Sequence, residues 1–568
     1  ATGGVFAHAR KLPVGGTMCN PKLVAPRPRS APMRRRGPSR AVTAPVPALP
    51  LRPPSAPRTS LPAQRSPQVG RGLAWVQKHS NCQFLAKNYN IIRSIGQGGF
   101  GRVDLVQHVA SGEERACKRV KLAGMQRDLL RQMRMEIRLL SRLDHPNIVK
   151  IYEFAEDTDI GELMLVLEYI PGGNCRSLLR QEGGSLTEAM AAGLVRQLLA
   201  AVSYCHEHGI VHRDIKPENM MISRRRLVGT LDCKLIDFGL AARESSGDES
   251  PASPVSARVF QPQGVAQRAG TPAYMAPEVV DRWIAYSAKG DVWSAGVVAL
   301  ELATGRQVFA GGDSQEIYAR IRAFHAEKDL AESMAWQHLS QEGKHFISQL
   351  LEVCPEQRPS GSEALEHQWL QPDSSLEVGL PDRLVRSLAS YSRAKPVVRQ
   401  CLNVLASRSS DADLRAVDFA FVRADKSSQG QVSLREIAAS CARSESGLPS
   451  ADWAAVESVS YTEFIAACLS MKYASPYELA VSTFKAIDAD SDGQINMCDI
   501  PDLISDRSLL KALPQGRTFG LEEWLVGFHA AIGMSSPGSV SKLRLSVAGT
   551  RFLSTCGHGR QLSARLGQ

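Results

Sequence analysis

The chain has 568 residues, 43% of them hydrophobic, so it can build several large cores and is neither a mini-protein nor an extended fibre. The net charge of +11 points at first to nucleic acid, but residues 1–90 hold 15 Lys/Arg and no Asp or Glu. The basicity therefore belongs to a terminal tail, and the rest of the chain predicts no nucleic-acid partner.

Residues 1–88 are predicted to be a disordered basic tail rich in Pro and Arg. Fourteen of the 32 prolines lie there, and no periodicity is long enough to bury a face. An arginine-rich, acid-free N-terminus also resembles an organelle transit peptide, and this alternative stays open. Isolated cysteines, with no CxxC pair, indicate reduced thiols, and no apolar run reaches about 18 residues, so the sequence predicts a cytoplasmic protein without a transmembrane segment.

A glycine-rich segment opens the next region. Gly96, Gly98 and Gly101 follow an apolar pair and precede the strand-like residues Val103 to Val106. This strand-loop-strand context argues against a dinucleotide fold, which needs a helix directly after the glycines. It predicts instead a hairpin whose backbone amides cover nucleotide phosphates.

A lysine and a glutamate are predicted to form an inward ion pair. Lys118 lies in an apolar strand, and Glu136 shares a helix face with Met133 and Leu140 at helical spacing. Such a pair aims the ammonium group at the α and β phosphates of a nucleotide.

The string from His212 to Asn219 is the most specific in the sequence. It offers Asp214 to orient a hydroxyl and accept its proton, Lys216 to neutralise a transferring phosphoryl group, and Asn219 to ligate Mg²⁺. Asp237, in an Asp-Phe-Gly tripeptide, supplies a second metal ligand.

Together these motifs resemble the protein kinase family over residues 89–370. The resemblance implies a two-lobed α+β fold, Ser/Thr specificity, ATP and Mg²⁺, with catalytic residues Asp214, Lys216, Asn219 and Asp237. The implied nucleotide-contact residues are Gly96, Gly98, Gly101, Val103, Ala116, Lys118, Glu136, Leu167, Glu168 and Ile170. It also implies that Asp291 begins an anchoring helix, that Arg358 pairs with Glu278, and that residues 237–278 form the activation segment.

The same resemblance bears on the protein substrate. Glu218 matches one of the acidic residues with which calmodulin-dependent kinases select arginines before the acceptor, whereas Asn174 stands where many relatives carry Glu. A preference for basic residues before the acceptor is therefore expected in weakened form. Ser250 and Ser253, each followed by Pro, are candidate phosphorylation sites in an inserted stretch of the activation segment, and an unmodified insertion is the alternative.

Two segments fit the EF-hand template of twelve residues. Residues 488–499 carry early carboxylates, a turn glycine and a final carboxylate, and residues 425–436 keep the ends and the glycine but have neutral oxygens between them. The predicted calcium ligands are Asp488, Asp490, Asp492, Gln494 and Asp499, and Asp425, Ser427, Gln429, Gln431 and Glu436. Residues 452–463 and 512–523 lack key ligands and are predicted to be EF-hand relics that pair with a working neighbour.

This order of parts resembles the calcium-dependent protein kinases of plants and alveolate protists. It implies a kinase domain (89–370), an autoinhibitory junction (371–410) that Pro396 must break or kink, an all-α EF-hand domain (411–533) and a flexible tail (534–568). The implied activity is calcium-regulated transfer of the ATP γ-phosphate to protein Ser/Thr hydroxyls by a monomer. Two alternatives stay open, a kinase-fold scaffold that binds ATP and calcium without turnover and a kinase whose EF-hands are inert.

Overall fold

The computed structural model of the chain describes residues 76–79, 82, 87–98, 101–122, 127–157, 159–225, 231–243, 270–281, 286–371, 380, 382–409, 417–418, 420–422, 424–425, 430–435, 437, 457–473, 475–488, 492–497, 500–501, 503–515 and 518–533. All of these residues belong to one compact unit, Pro67–Gln568. Within these ranges, no helix has the length and apolar character needed to cross a membrane.

The first lobe is a six-stranded sheet with one helix. Its strands are β1 (Gln77–His79), β2 (Tyr89–Gly98), β3 (Gly101–His108), β4 (Glu114–Lys121), β5 (Ile151–Asp157) and β6 (Glu162–Glu168), and its helix is α1 (Arg127–Leu140). The strand order is β1-β5-β6-β4-β3-β2, with β1 parallel to β5 and the other neighbours antiparallel. The antiparallel hairpin of β2 and β3 confirms the strand-loop-strand context predicted for the glycine motif.

Strand β1 lies within residues 1–88, where the sequence predicted only a disordered tail. Residues 77–79 pair with residues 153–155 at the edge of the sheet, so for this segment the prediction is wrong. A three-residue strand leaves no periodicity to detect, and its hydrogen bonds come from a partner more than 70 residues away. Residues 1–75 lie outside the described part of the chain.

The second lobe is mainly helical. Its helices are α2 (Cys175–Gln181), α3 (Glu188–Glu207), α4 (Pro277–Val280), α5 (Ala288–Thr304), α6 (Ser314–Arg322), α7 (Ala326–Leu330), α8 (Met334–Gln337), α9 (Gln341–Leu350) and α10 (Gly361–Leu365). Helix α5 is buried from Gly290 to Ala303, and its Trp293 is fully buried against Phe309 and Phe324. It forms a rigid support for the loop that carries Asp214.

Short strands frame that loop. They are β7 (Ile210–Val211), β8 (Met220–Arg225), β9 (Leu231–Leu235) and β10 (Ala242–Arg243), and β8 pairs with β9 while β7 pairs with β10. Single 3₁₀ turns cover Pro217–Asn219, Phe238–Leu240, Pro272–Tyr274 and Gln368–Leu370. The loop between β7 and β8 is thus fixed at both ends by sheet hydrogen bonds.

Two helices form the described part of the junction. Helix α11 (Asp382–Arg393) ends just before Pro396, and α12 (Pro396–Arg408) begins with it. Proline is well placed at a first helical position but cannot continue a preceding helix, so the predicted break at Pro396 is confirmed. The Tyr391 hydroxyl donates to Asn403 Oδ1 at 2.8 Å and ties the two helices together.

The C-terminal module is built from helices and two minimal sheets. Its described elements are β11 (Gln431–Ser433), β12 (Ser458–Ser460), α13 (Tyr461–Leu469), α14 (Pro476–Ile487), β13 (Gln494–Ile495), α15 (Arg507–Ala512), β14 (Phe519–Gly520) and α16 (Leu521–Ala531). Val432 pairs with Val459, and Ile495 pairs with Phe519. Each of these residues is the eighth of its predicted loop, so both EF-hand relics pair with the neighbour that the sequence predicted.

We call loops 425–436 and 452–463 the first EF-hand pair, and loops 488–499 and 512–523 the second. The first pair is bound to the kinase region by Asp144. Its Oδ2 accepts from the Thr462 amide at 2.9 Å and the Ser460 hydroxyl at 3.0 Å, and its Oδ1 accepts from the Thr462 hydroxyl at 2.8 Å. A kinase carboxylate therefore caps the N-terminus of α13, where the helix dipole favours negative charge.

A glycine brings the first pair into direct contact with helix α3. Gly430 has φ of +71°, and a Cβ added there would lie 2.3 Å from the Tyr204 ring. The Tyr204 hydroxyl in turn accepts a hydrogen bond from the Asp144 amide at 3.0 Å. Tyr204 therefore contacts the turn of a predicted calcium loop and the residue that caps α13.

The end of the junction is held by the first lobe. Lys150 Nζ donates to the Ala406 carbonyl at 3.2 Å, in the last turn of α12. Arg408 donates to Glu153 Oε1 at 2.7 Å, and the same carboxylate binds the His79 ring at 2.9 Å and the Tyr89 hydroxyl at 2.8 Å. Burial alone raises the pKa of Glu153, but these partners outweigh burial and hold the pKa below its usual range.

Candidate active site and EF-hand loops

The loop between β7 and β8 gathers polar side chains around Asp214. Lys216 Nζ donates to Asp214 Oδ2 at 2.6 Å, and Thr271 donates to Oδ1 through its hydroxyl at 2.7 Å and its amide at 3.0 Å. The Asn219 side-chain nitrogen donates to the Asp214 main-chain oxygen at 2.8 Å and to Oδ2 at 3.1 Å. Three of the predicted catalytic residues therefore meet at one carboxylate of fixed orientation.

The charge of Asp214 follows from these contacts. Burial raises the pKa of its carboxyl, but the hydrogen bonds from Lys216 and Thr271 and the charge of Lys216 outweigh burial and lower it. The group is therefore ionised at neutral pH. An ionised carboxylate with oriented lone pairs is suited to align a hydroxyl and to accept its proton.

Asp291, the fourth residue of α5, holds the main chain of the loop between β7 and β8 in place. Its Oδ2 accepts from the His212 amide at 2.7 Å and contacts His206 Nε2 at 3.0 Å, while Oδ1 accepts from the Arg213 amide at 2.9 Å. Arg213 has φ of +70°, a conformation that a non-glycine residue adopts only when its surroundings impose it. The buried Asp291 carboxylate supplies that constraint.

The predicted lysine–glutamate pair is formed. Lys118 Nζ lies 3.1 Å from Oε1 and 3.3 Å from Oε2 of Glu136, which is buried on the inward face of α1 as the sequence predicted. Asp237 has φ of +63°, and its Oδ1 accepts from the Gly239 amide. Because a Cβ on Gly239 would lie 3.8 Å from Glu136 Oε2, the turn that holds Asp237 lies directly beside the pair.

The glycine-rich hairpin is formed by β2 and β3, and Val103 of β3 is the register partner of Lys118 on β4. Gly96 pairs with Val103 and Gly98 with Gly101. Gly101 has φ of +155°, and a Cβ there would lie 2.1 Å from the Arg119 carbonyl, so a larger residue would force the hairpin away from β4. This close approach keeps the hairpin amides near Lys118, the neighbour of Arg119.

The other predicted nucleotide contacts lie on β4, β6 and the segment after β6. Ala116 and Leu167 are register partners, and Ile170 is buried. The Glu168 carboxylate, however, is bound to Lys234 Nζ at 3.0 Å and to the Lys150 amide at 3.2 Å. Any contact between Glu168 and a nucleotide would therefore involve its main chain.

The far end of the activation segment is fixed by a buried ion pair. Arg358 Nη1 lies 2.8 Å from Glu278 Oε1, and Arg358 Nη2 lies 3.1 Å from Glu278 Oε2. The pairing predicted for these residues is therefore confirmed. The candidate phosphorylation sites Ser250 and Ser253 lie outside the described residues.

These residues fit a nucleotide with Mg²⁺. The nitrogen of the Asn219 amide is used on Asp214, which leaves Asn219 Oδ1 as the atom that can ligate a metal. Asp237 adds a carboxylate in the turn that lies beside Glu136. Oxygen ligands of this kind suit Mg²⁺ held jointly with phosphates. The ammonium group of Lys118, fixed by Glu136, supplies a positive charge for the phosphates.

The first residue of each of the two predicted calcium loops closes the loop turn. Asp425 Oδ2 accepts from the Gly430 amide at 2.7 Å, and Asp488 Oδ2 accepts from the Gly493 amide at 3.0 Å. Both carboxylates are buried, and both glycines have positive φ, of +71° and +79°. This turn geometry and the oxygen donors fit a hard cation such as Ca²⁺.

The remaining predicted ligands are only partly described. Asp492 Oδ1 accepts from the Gln494 amide at 2.7 Å, and Gln494 and Gln431 begin strands β13 and β11. The others, Asp490, Asp499, Ser427, Gln429 and Glu436, lie outside the described residues. Within the ranges that are described, no group of three or more His, Cys, Asp or Glu side chains gathers around a metal position.

Sequence reasoning missed several functional contacts. Asp144, Tyr204, Glu153 and Arg408 join the kinase region to the junction and the first EF-hand pair, yet none lies in a recognisable motif. Their partners are 226 to 318 residues away in the chain. The one available signal was the basic composition of the junction, which includes Arg408 but does not identify its partner.

The chain is similar to known protein kinases. The family model described as "Protein kinase domain" matches residues 89–370. Calcium-dependent protein kinase 3 of Plasmodium berghei (strain Anka) is 27% identical over 428 residues, covering 73% of this chain and 72% of the relative. Calcium-dependent protein kinase 7 of Oryza sativa subsp. japonica is 29% identical (73% and 74%), and calcium-dependent protein kinase 8 of Arabidopsis thaliana is 27% identical (74% and 76%).

Each match is longer than the segment 89–370, so each extends beyond the kinase region into the rest of the chain. Residues 89–370 therefore form a protein kinase domain, and the chain is similar to calcium-dependent protein kinases over about three-quarters of its length.

Proposed function

We propose that this chain transfers the γ-phosphate of ATP to Ser and Thr hydroxyls of proteins, that Asp214 orients the hydroxyl, and that calcium binding to the EF-hand loops controls the transfer. The observation that carries the proposal is the Asp214 carboxylate, held by Lys216, Thr271 and Asn219, in a domain where the Lys118–Glu136 pair is also formed. A scaffold without turnover would not need this alignment.

The residues divide the work of phosphoryl transfer. Asp214 aligns the acceptor hydroxyl and takes its proton, while Lys216, 2.6 Å from Asp214, neutralises charge that develops on the phosphoryl oxygens. Lys118 holds the phosphates, and Asn219 and Asp237 hold Mg²⁺, which neutralises phosphate charge when bound. Most of the acceleration then comes from positioning.

Regulation is assigned to the second EF-hand pair and the junction. Loop 488–499 has three early carboxylates, whereas loop 425–436 has one, so the former should bind calcium more tightly. Gln400 of helix α12 accepts from the Ser505 and Asp506 amides at 3.1 Å each. Calcium binding in the second pair can therefore act on the junction through this contact, and the junction restrains the kinase when calcium is low.

The proposal also covers cellular setting and assembly. The eight described cysteines are free thiols, six of them buried, which supports a reducing compartment such as the cytoplasm. Because the regulatory module lies on the same chain as the catalytic domain, regulation needs no second copy, which supports a monomer.

Activity and regulation can be tested together by measuring phosphate transfer from ATP to a Ser/Thr protein at buffered free calcium. We expect calcium to stimulate transfer and Asp214→Asn to abolish it while the variant stays folded. Full turnover in Asp214→Asn would disprove the assignment of Asp214. No turnover in the native protein at any calcium level would favour the scaffold.

A matched pair of variants compares the contributions of loops 488–499 and 425–436 to activation by calcium. Asp488→Ala and Asp425→Ala each remove the first carboxylate of a loop, and we expect only the former to raise the half-activating calcium concentration by about tenfold or more. Asp499→Glu should lower it, because Glu offers bidentate coordination. Equal half-activating calcium concentrations in Asp488→Ala and the native protein would show that loop 488–499 is not the calcium sensor.

A further inference from the structure

Arg176, in the first turn of α2, is bound by two glutamates and a tyrosine. Its Nε lies 2.8 Å from Glu218 Oε1, and its Nη2 lies 3.3 Å from Glu301 Oε2 and donates to the Tyr274 hydroxyl at 2.6 Å. Arg176 Nη1 also contacts Glu301 Oε1, and the Tyr274 hydroxyl donates to Glu301 Oε2 at 2.6 Å. All three guanidinium nitrogens of Arg176 are therefore in use.

This cluster lies where a protein substrate must pass. Glu218 belongs to the catalytic loop, four residues after Asp214 and directly before Asn219. Tyr274 lies three residues after Thr271, which is hydrogen bonded to Asp214. A polypeptide that delivers a hydroxyl to Asp214 therefore runs alongside the elements that hold Glu218 and Tyr274.

The acidic atoms of the cluster are nevertheless covered. The Glu218 side chain is 41% exposed, but its Oε1 is bound to Arg176, and its Oε2 is buried with no hydrogen-bond partner among the described residues. Glu301 is buried. Neither Glu218 oxygen is therefore free to bind a substrate guanidinium group.

The neighbouring residue adds no acidity. Asn174 caps helix α2, with Oδ1 accepting from the Ser177 amide and hydroxyl at 2.9 Å each. Its side chain is therefore used within the helix cap.

The carboxylates of Glu218 and Glu301 and the phenol oxygen of Tyr274 together form a binding site for one planar guanidinium group, and the chain's own Arg176 occupies it.

We propose that Arg176 is a specificity-determining residue that occupies the guanidinium subsite of the substrate groove, so that this kinase does not select basic residues before its acceptor. The inference rests on the proposed kinase function and replaces the weakened basic preference expected from Glu218. The substrate class is Ser/Thr proteins without a required upstream arginine.

The test compares peptide pairs that differ only by Arg or Ala at one position before the acceptor, with the full chain and saturating calcium. For the native protein we expect the ratio of kcat/KM values to be near one at every position. Arg176→Ala should raise the ratio in favour of arginine at one position by about tenfold, mainly through KM, because a charged hydrogen bond is regained. The ratio cancels any general loss of activity.

Two further variants keep the result interpretable. Because Arg176→Ala leaves the buried Glu301 without a cationic partner, Arg176→Ala with Glu301→Gln removes that charge and still uncovers Glu218. Arg180→Ala removes an exposed arginine from the same helix and should leave the ratio unchanged.

The outcomes are distinct. A native preference for arginine of tenfold or more, or an unchanged ratio in both folded Arg176 variants, would overturn the inference while leaving the kinase function intact. Phosphorylation of none of the peptides by the native protein would overturn the proposed function and this inference with it.

Discussion

The two EF-hand pairs share one internal design and both pack against the junction helices, but the first pair is also fixed to the kinase region. In both, the eighth residues of the loops pair across a minimal sheet, and the first carboxylate closes a turn at a left-handed glycine. The first pair is held by Asp144 and Tyr204 of the kinase region and packs its helix α13 against α11 and α12. The second pair contacts helix α12 through α14 and through the hydrogen bonds to Gln400.

This difference assigns separate tasks to the two pairs. A loop that lies against the kinase region can serve as a fixed platform, since any change of shape would disturb Tyr204. The pair with the more acidic loop contacts the junction, through which its calcium-induced change can be transmitted. Loop 452–463 lacks calcium ligands but contributes to the contact with the kinase region, because Asp144 of that region caps helix α13 at the end of the loop.

The largest expected change in the free energy of unfolding comes from replacing the glycine at the sixth position of loops 425–436 and 488–499. Gly430→Ala introduces about 1–2 kcal/mol of backbone strain and a clash with Tyr204 that adds about 1–3 kcal/mol. Gly493→Ala has the same φ region but no atom within 4 Å of the added Cβ, so it should show the strain alone. Chemical denaturation of both variants measures the difference, and equal losses would contradict a direct contact at Tyr204.

The next effect concerns the helix cap. Asp144→Ala leaves the Thr462 amide and the Ser460 hydroxyl without their acceptor and should destabilise the docked arrangement by about 1.5–3 kcal/mol. Amide hydrogen exchange should rise at residues 458–463 and stay unchanged at residues 494–495 of the second pair. In Asp144→Asn, which keeps one acceptor oxygen, amide exchange at residues 458–463 should be faster than in the native protein and slower than in Asp144→Ala. Native exchange rates at these residues in Asp144→Ala would contradict the role of Asp144 as a cap of α13.

A pH dependence is expected at the same contact. His145 stacks on Tyr204 at 5.1 Å, and burial, with help from the charges of Lys234 and His208, lowers its pKa to about 3. The unfolded chain takes up this proton near pH 6.5, whereas the folded chain does not, so stability is present above that pH and falls as pH drops from 6.5 toward 3. Each pH unit in this window should remove about 1.4 kcal/mol.

The variant His145→Gln removes the contribution of this histidine to the pH dependence of stability. Urea unfolding of the variant at pH 7.5 and 5.5 should show a smaller loss on acidification than the native protein, by about 1.4 kcal/mol. Equal losses in the two proteins would mean that another group accounts for the acid sensitivity.

The smallest effect tests whether surface charge holds the first pair together. Arg435 and Glu457 form an ion pair of 2.8 Å, but both side chains are more than three-quarters exposed. Arg435→Ala should therefore change the free energy of unfolding by no more than about 0.5 kcal/mol. A larger loss by chemical denaturation would show that this pair contributes more than its exposure indicates.

Local motifs predicted the catalytic loop and the pairing of the EF-hand loops because each depends on residues close in sequence. Asp214, Lys216 and Asn219 span six residues, and positions within a calcium loop are fixed by its turn. The cap of α13 by Asp144 could not be predicted, because it joins residues more than 300 apart by tertiary packing alone. Arg176 likewise reads as an ordinary helical arginine until Glu301, 125 residues away, is placed beside it.

The carboxylate of Glu153 has a practical consequence for shortened forms of this protein. Of its three partners, Tyr89 begins the kinase domain, but His79 precedes it and Arg408 follows it. A fragment trimmed to residues 89–370 would keep this acid buried while discarding His79 and the cation Arg408. Preparations meant for crystallisation or inhibitor screening should therefore start before Gln77 and extend past Arg408.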